Sequence, residues 1–433
     1  MKKLILCLMT ATVLVSSMSC TVVDNQTDTQ TDTPIDTQFV AGMELKSDKT
    51  RALSDASQSD LEALVNGNTE FALDLYQQLA KEDGNLFFSP YSISAAFAMT
   101  YAGARGETER QMAEVLHFDL PQDKLHAAFN LLEAELNSRQ SLDEEDYFQL
   151  NITNAIWGQN GFEFLDEFLD TIAENYGAGL RIVDFLNATE EARQTINQWV
   201  SDETQGKIEE LIAKDDLDAG TVITLTNAIY FKAEWYSPFQ QGQTEDGQFT
   251  LLDGSTVTAP MMSQSMQFGY TEGSDYQAIE LKYKGHDFSM VILLPRAGEF
   301  DEFEASLDAQ KASDIIDGME GQAVNVSMPK FGYETGYRLE EILIDMGMPN
   351  AFGPADFSGM SPDAAGLYIT DAAHKAFISV DEKGTEAAAA TWIAIAGMTE
   401  IEFNMNRPFI YLIQDVETGT ILFIGRVLNP GTS

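Results

Sequence analysis

From residue 385 to residue 395 the chain alternates with period two. Thr385, Ala387, Ala389, Thr391, Ile393 and Ile395 would share one face of an extended strand, small first and apolar later, while Glu386, Ala388, Ala390, Trp392 and Ala394 would share the other. Gly384 stands just before this run as a permissive pivot, after strand-like residues 376–380, so the chain there can continue or turn away. Taken alone, residues 385–390 favour a surface helix, because Ala and Glu are strong helix formers and Ala is a poor strand former. Both states stay open until the rest of the chain is considered.

Elsewhere the pattern is less ambiguous. Apolar residues at helical spacing (Leu61, Leu64, Phe71, Leu75, Leu79) predict a helix over 61–80, ended by Asp83-Gly84. Ser89 as N-cap and Pro90 in the first turn predict a second, apolar nearly all round and therefore central, as far as Gly103. Further helices are predicted at 107–116, 122–138, 165–175, 188–203, 308–317 and 337–345. Strand-like runs fall at 147–157, 221–232, 276–283, 287–294, 322–330, 366–380, 407–414 and 420–428, and 222–231 and 288–294 are apolar on both faces, as strands covered on both sides would be. Helices come mainly first and strands mainly last, which predicts an α+β fold with large mixed sheets.

Charge narrows the partners. There are 69 acidic against 25 basic residues, a formal charge of −44, and this argues against recognition of DNA, RNA or a heparin-type polysaccharide through a basic face. The N-terminus carries Lys2 and Lys3, then an apolar run over 4–15, then small residues up to Cys20, the layout of an export signal over residues 1–19. Ser17-Met18-Ser19-Cys20 resembles the end of a bacterial lipoprotein signal, in which Cys20 becomes the acylated terminus; the alternative is a plain secretory signal with Cys20 incidental. Either way the protein is expected to be exported, anchored through Cys20 at the cell envelope or surface, or secreted. Cys7 lies inside the signal, so the mature chain has one thiol and no internal disulfide. Residues 20–58 are rich in Thr, Asp, Gln and Ser and read as a disordered tether, with the folded domain over 59–433.

Five ordered motifs carry a family resemblance: Asn85-Leu86-Phe87-Phe88-Ser89-Pro90, Gly103-Ala104-Arg105-Gly106-Glu107-Thr108, the run from Thr226-Asn227 to Trp235, His374-Lys375-Ala376 followed by Asp381-Glu382-Lys383-Gly384-Thr385, and Asn406-Arg407-Pro408-Phe409 with Gly425-Arg426-Val427. In these the chain resembles the serpins, the serine protease inhibitor family, over about residues 60–430. The resemblance implies three β-sheets, about nine helices and an exposed reactive-centre loop. It implies a scissile bond at Met398-Thr399 by counting from Glu382, or at Gly397-Met398 by counting back from Pro408. It implies a hinge of Glu382, Gly384, Thr385, Ala387, Ala389 and Thr391, whose inward residues are small and uncharged and so fit to enter a sheet. It also implies a sheet-opening cluster of Ser89, Ser92, Asn227 and His374, with Trp235 above it.

Residues 384–406 contain no Lys or Arg, which disfavours trypsin-like targets, whose pocket pairs a cation with a buried carboxylate. Ile393 to Met398 suit elastase-like proteases first, then chymotrypsin-like or subtilisin-like ones. The protein is expected to be a monomer, to need no cofactor or metal, and not to be an enzyme. Its four histidines, His117, His126, His286 and His374, form no His-Glu-x-x-His motif, and there is no Gly-x-Ser-x-Gly. The competing expectation is a serpin-fold binding or storage module that proteases merely cleave.

Overall fold

Ser89 halts the extended chain and accepts a hydrogen bond from the Ser92 N–H, Pro90 fixes the first turn, and the twelve-residue helix that follows is buried at every position. The structure is a computed structural model and describes residues 41–139, 148–363, 366–385 and 401–431. Among them the helices are α1 (Gln58–Leu79), α2 (Pro90–Tyr101), α3 (Gly106–Leu116), α4 (Gln122–Ser138), α5 (Asp166–Tyr176), α6 (Phe185–Glu203), α7 (Phe300–Ala305), α8 (Ala309–Asp317) and α9 (Leu339–Met346). The strands are β1 (Met43–Leu45), β2 (Leu86–Phe88), β3 (Phe148–Gln159), β4 (Leu180–Val183), β5 (Ile223–Glu234), β6 (Glu245–Thr250), β7 (Thr256–Glu272), β8 (Tyr276–Lys282), β9 (Phe288–Pro295), β10 (Glu320–Pro329), β11 (Phe331–Arg338), β12 (Ile369–Val380), β13 (Gly384–Thr385), β14 (Ile401–Asn404), β15 (Phe409–Asp415) and β16 (Ile421–Val427).

The main sheet runs β1-β4-β3-β5-β13-β12-β11, and a second ladder runs β14-β10-β7-β8-β9-β15-β16-β2 with β6 beside β7. Where three sheets are expected, hydrogen bonding links the strands into two ladders, because β7 is continuous over 17 residues. One end of β7 pairs with β6 and its middle with β10, while its last four residues pair with β8, so two sheets share one strand. The α+β class is as expected. β9, β15 and β16 are buried at every residue, with α2 packed against β3, β5 and β16 in the interior.

The boundary of the tether needs correction. Residues 41–57 belong to the folded body: β1 pairs antiparallel with β4, Met43 opposite Ile182 and Leu45 opposite Leu180. Arg51 donates to Asn130 Oδ1 at 2.8 Å and to Glu133 Oε1 at 2.7 Å, the Ala52 N–H donates to the Glu174 carbonyl, and the Ser54 hydroxyl to the Ala127 carbonyl. A composition rule weighs apolar burial alone, whereas this arm is held by main-chain pairing and charge-assisted hydrogen bonds. Residues 1–40, Cys20 among them, lie outside the described residues.

Candidate functional site

The main sheet contains one parallel seam between long strands. β5 and β12 pair directly from Ile369–Ile223 to Ala376–Ile229, whereas β3–β5 and β11–β12 on either side are antiparallel. Beyond Ala376 the direct pairing stops, and the two residues of β13 fill the gap. Gly384 lies opposite Glu234 and Thr385 opposite Ala233 on one side, and Thr385 lies opposite Val380 on the other, all antiparallel.

Local chemistry makes this turn. The Asp381 carboxylate accepts from the Lys383 N–H at 2.8 Å, and Asp381 N–H donates to the Gly384 carbonyl at 2.9 Å. Gly384 has φ of +152°, and a Cβ there would overlap the Ala233 carbonyl oxygen, so the position demands glycine. Thr385 is 1% exposed, and its hydroxyl is 3.1 Å from the Tyr283 hydroxyl.

A collar surrounds the turn. Trp235 is buried and stacks on Tyr283, with ring centroids 4.6 Å apart and planes 6° from parallel, worth about 1 kcal/mol beyond its buried area. Its indole N–H donates to the Asp381 carbonyl at 3.1 Å and its backbone N–H to Lys383 at 2.8 Å. The Glu382 carboxylate accepts from Lys330 Nζ at 2.8 Å and from the Thr244 hydroxyl at 2.7 Å. Burial opposes its ionisation, but these hydrogen bonds outweigh burial and hold the carboxyl below its usual range.

Farther down the seam, a polar row crosses four strands in register. Asn154 lies opposite Asn227, Asn227 opposite His374, and His374 opposite Tyr337. His374 Nε2 accepts from the Ser89 N–H at 3.2 Å; because a backbone amide can only donate, the ring proton sits on Nδ1 and is given to Asn227 Oδ1. Asn227 Nδ2 donates to the Ser92 hydroxyl at 2.6 Å and to Asn154 Oδ1, and Asn154 Nδ2 donates to the Ser92 carbonyl at 3.2 Å. The Tyr337 ring lies 6.4 Å from His374, 7° from parallel. Burial pushes the His374 pKa down to about 3, so the row is neutral. The start of α2 is thus bonded to both sides of the seam, through Ser89 to β12 and through Ser92 to β5.

Ser89, Ser92, Asn227 and His374 meet in one network. Trp235, Glu382, Gly384 and Thr385 meet in the collar above it. Ala387, Ala389, Thr391, Gly397, Met398 and Thr399 lie outside the described residues, as does Cys20. Sequence reasoning missed Asn154, Tyr283, Lys330 and Thr244. Asn154 left a trace: it is a polar residue on the same face as Leu150, Ile152 and Ile156, which pack in the main core. The other three are brought in by tertiary structure from distant segments and had no local signal. Among the described residues no cluster of three or more His, Cys, Asp or Glu could hold a metal ion, and no helix is long and apolar enough to cross a membrane.

Comparison with known proteins fits this geometry. The family model described as Serpin (serine protease inhibitor) matches residues 66–430. The chain is 42% identical over 373 residues to a serpin-like protein of Thermococcus kodakarensis, covering 85% of this chain and 86% of that one. It is 41% identical over 385 residues to the leukocyte elastase inhibitor of Sus scrofa, covering 86% of this chain and all (100%) of that one. Among solved structures it is similar to the native state of tengpin, a thermophilic serpin, with a TM-score of 0.79 and 31% identity, covering 90% of this chain and 100% of that one.

Proposed function

Because the chain belongs to the serpin family, with a family match over residues 66–430, we propose that it inhibits serine endopeptidases as a suicide substrate. The protease nucleophile attacks the carbonyl of Met398, the bond to Thr399 breaks, the new amine leaves with the C-terminal segment, and the protease stays attached as an ester. The freed hinge side then enters the main sheet between β5 and β12 and carries the protease with it. About fifteen residues at roughly 3.3 Å each would move it on the order of 50 Å before the ester hydrolyses.

The observation that carries this proposal is the pairing of β13 with both β5 and β12. A strand continuing from Thr385 in that direction replaces one parallel seam by two antiparallel ones, each slightly more stable per residue than the seam lost. Below it, the neutral hydrogen bonds of Asn227, His374, Ser89 and Ser92 can be exchanged as the strands part, without exposing a buried charge. Apolar Ile393 to Met398 favour an elastase-like target, and the similarity to a leukocyte elastase inhibitor supports the same choice. The lipoprotein-like Ser17-Met18-Ser19-Cys20 supports export with anchoring at the cell envelope or surface.

Mixing with neutrophil-type elastase tests this directly. The expected product is a covalent complex that survives SDS, with release of a small C-terminal fragment whose mass identifies the bond cut. Complete cleavage without complex would identify a serpin-fold binding or storage module instead.

A further inference from the structure

Residues 250–254 after β6, 295–301 after β9 and 406–408 before β15 enclose a pocket of about 460 Å³, far from the polar row in sequence and in role. Leu252, Phe300 and Pro408 give it an apolar wall, and Arg296 and Arg407 stand in the same wall. Leu252 is 51% exposed at this position, a large aliphatic group left facing water.

Of the two arginines, Arg407 is unusual in this chain. With 69 acidic residues for 25 basic ones, a cation ordinarily finds a carboxylate. Among the described residues Arg407 forms no ion pair. Its Nε donates to the Pro295 carbonyl at 2.8 Å, and its Nη1 to the Asn404 carbonyl at 3.4 Å and to Asn406 Oδ1 at 3.3 Å. These neutral acceptors fix the plane of the fork, and among the described residues Nη2 has no hydrogen-bond partner. Arg296 spends one edge on Glu272 and the Gly273 carbonyl, at 3.1 and 3.3 Å. Burial, and then the charge of Arg296, lower the Arg407 pKa. Asp301 also lines the pocket but forms no ion pair with either arginine among the described residues.

We propose that this pocket binds an amphipathic carboxylate, its oxygens held by Arg296 and Arg407 and a hydrocarbon body of up to about ten carbons resting on Leu252, Phe300 and Pro408. With Nε and Nη1 held by neutral acceptors, Arg407 can offer its Nη2 hydrogens to a carboxylate oxygen, and the exposed leucine supplies the apolar contact that an inorganic anion would not use. A free fatty acid and the C-terminal residue of a peptide both present this chemistry. The site does not depend on the inhibitory mechanism.

Isothermal titration of the full chain with octanoate, octan-1-ol, acetate and N-acetyl-leucine provides the test. Octanoate or N-acetyl-leucine should bind at least roughly tenfold more tightly than either octan-1-ol or acetate, because each of those lacks one half of the recognition. The stronger of the two names the source, fatty acid or peptide terminus. Arg296→Gln and Leu252→Ser, both at solvent-facing positions, should each weaken binding while leaving the melting temperature unchanged; Arg296→Gln should cost roughly tenfold. No binding by either carboxylate, equal binding by octan-1-ol, or unchanged affinity in Arg296→Gln would overturn the proposal.

Discussion

The hydroxyls of Thr385 and Tyr283 lie 3.1 Å apart, and the same tyrosine ring carries Trp235 stacked on its face. Thr385, the first residue past Gly384, is therefore already part of the main sheet.

Under the proposed mechanism, Thr385→Arg should turn inhibition into simple cleavage. The side chain at this position is 1% exposed, and a guanidinium there would be buried without a partner at a cost of several kcal/mol. Cleavage by elastase should continue, while the SDS-stable complex falls by more than about tenfold on a gel. Undiminished complex would mean that residue 385 need not stay in the sheet.

Gly384→Ala should expel β13 from the gap. The substituted residue would carry positive φ and press against the Ala233 carbonyl, destabilising the native chain by roughly 1–3 kcal/mol. The readout is amide hydrogen exchange at Trp235, whose N–H is bonded to Lys383 at 2.8 Å. Unchanged protection there would show that glycine is not what admits the turn.

Acid should weaken the fold through two histidines. Burial lowers His374 to about 3 and, as the largest influence there too, His126 to about 4, both from 6.5. A base whose pKa is depressed on folding is protonated first in the unfolded chain, so stability falls as pH drops from about 6.5 towards the folded values. At about pH 4.5 each histidine should account for roughly 2–3 kcal/mol of the loss. Urea unfolding at about pH 7 and pH 4.5 should show a smaller pH difference in His374→Gln and in His126→Gln than in the parent.

Asp371 should act in the opposite sense. It is buried on β12 beside Arg338, 3.0 Å away, and Arg338 also holds Asp216. Burial raises its pKa to about 6, with further upward pressure from Asp216 and Glu340, against the pull of Arg338. A carboxyl raised on folding stabilises the native chain at low pH and loses that contribution as pH climbs through about 6. Asp371→Asn is therefore expected to stabilise the protein by roughly 1–3 kcal/mol at about pH 7 and to do little at about pH 4.5, as melting temperatures would show.

Long periodic segments could be read from sequence, and features assembled across the chain could not. The pattern predicts a helix over 122–138, and α4 occupies Gln122–Ser138. The predicted helix over 188–203 begins earlier, at Phe185, because the Asp184 side chain accepts from the Asn187 N–H and caps a turn that kinks at Ala188. β7 escaped notice although it is 17 residues long, since its polar Ser and Gln positions and Pro260 break any clean alternation. The hinge is the instructive case: local propensity favours helix for residues 385–390, yet Thr385 is in a strand. Tertiary pairing with Ala233 and Val380 overrides propensity there, and that gap is created by strands whose convergence no local window contains.

The arm over residues 41–57 has a practical consequence. β1 shields the outer rim of β4, whose main-chain donors and acceptors would otherwise face solvent. A recombinant version trimmed to start at Asp60, where helical periodicity begins, would leave that rim bare and ready to recruit a strand from a neighbouring molecule. Such a trimmed product should self-associate on storage, while one beginning at Gly42 should stay dispersed.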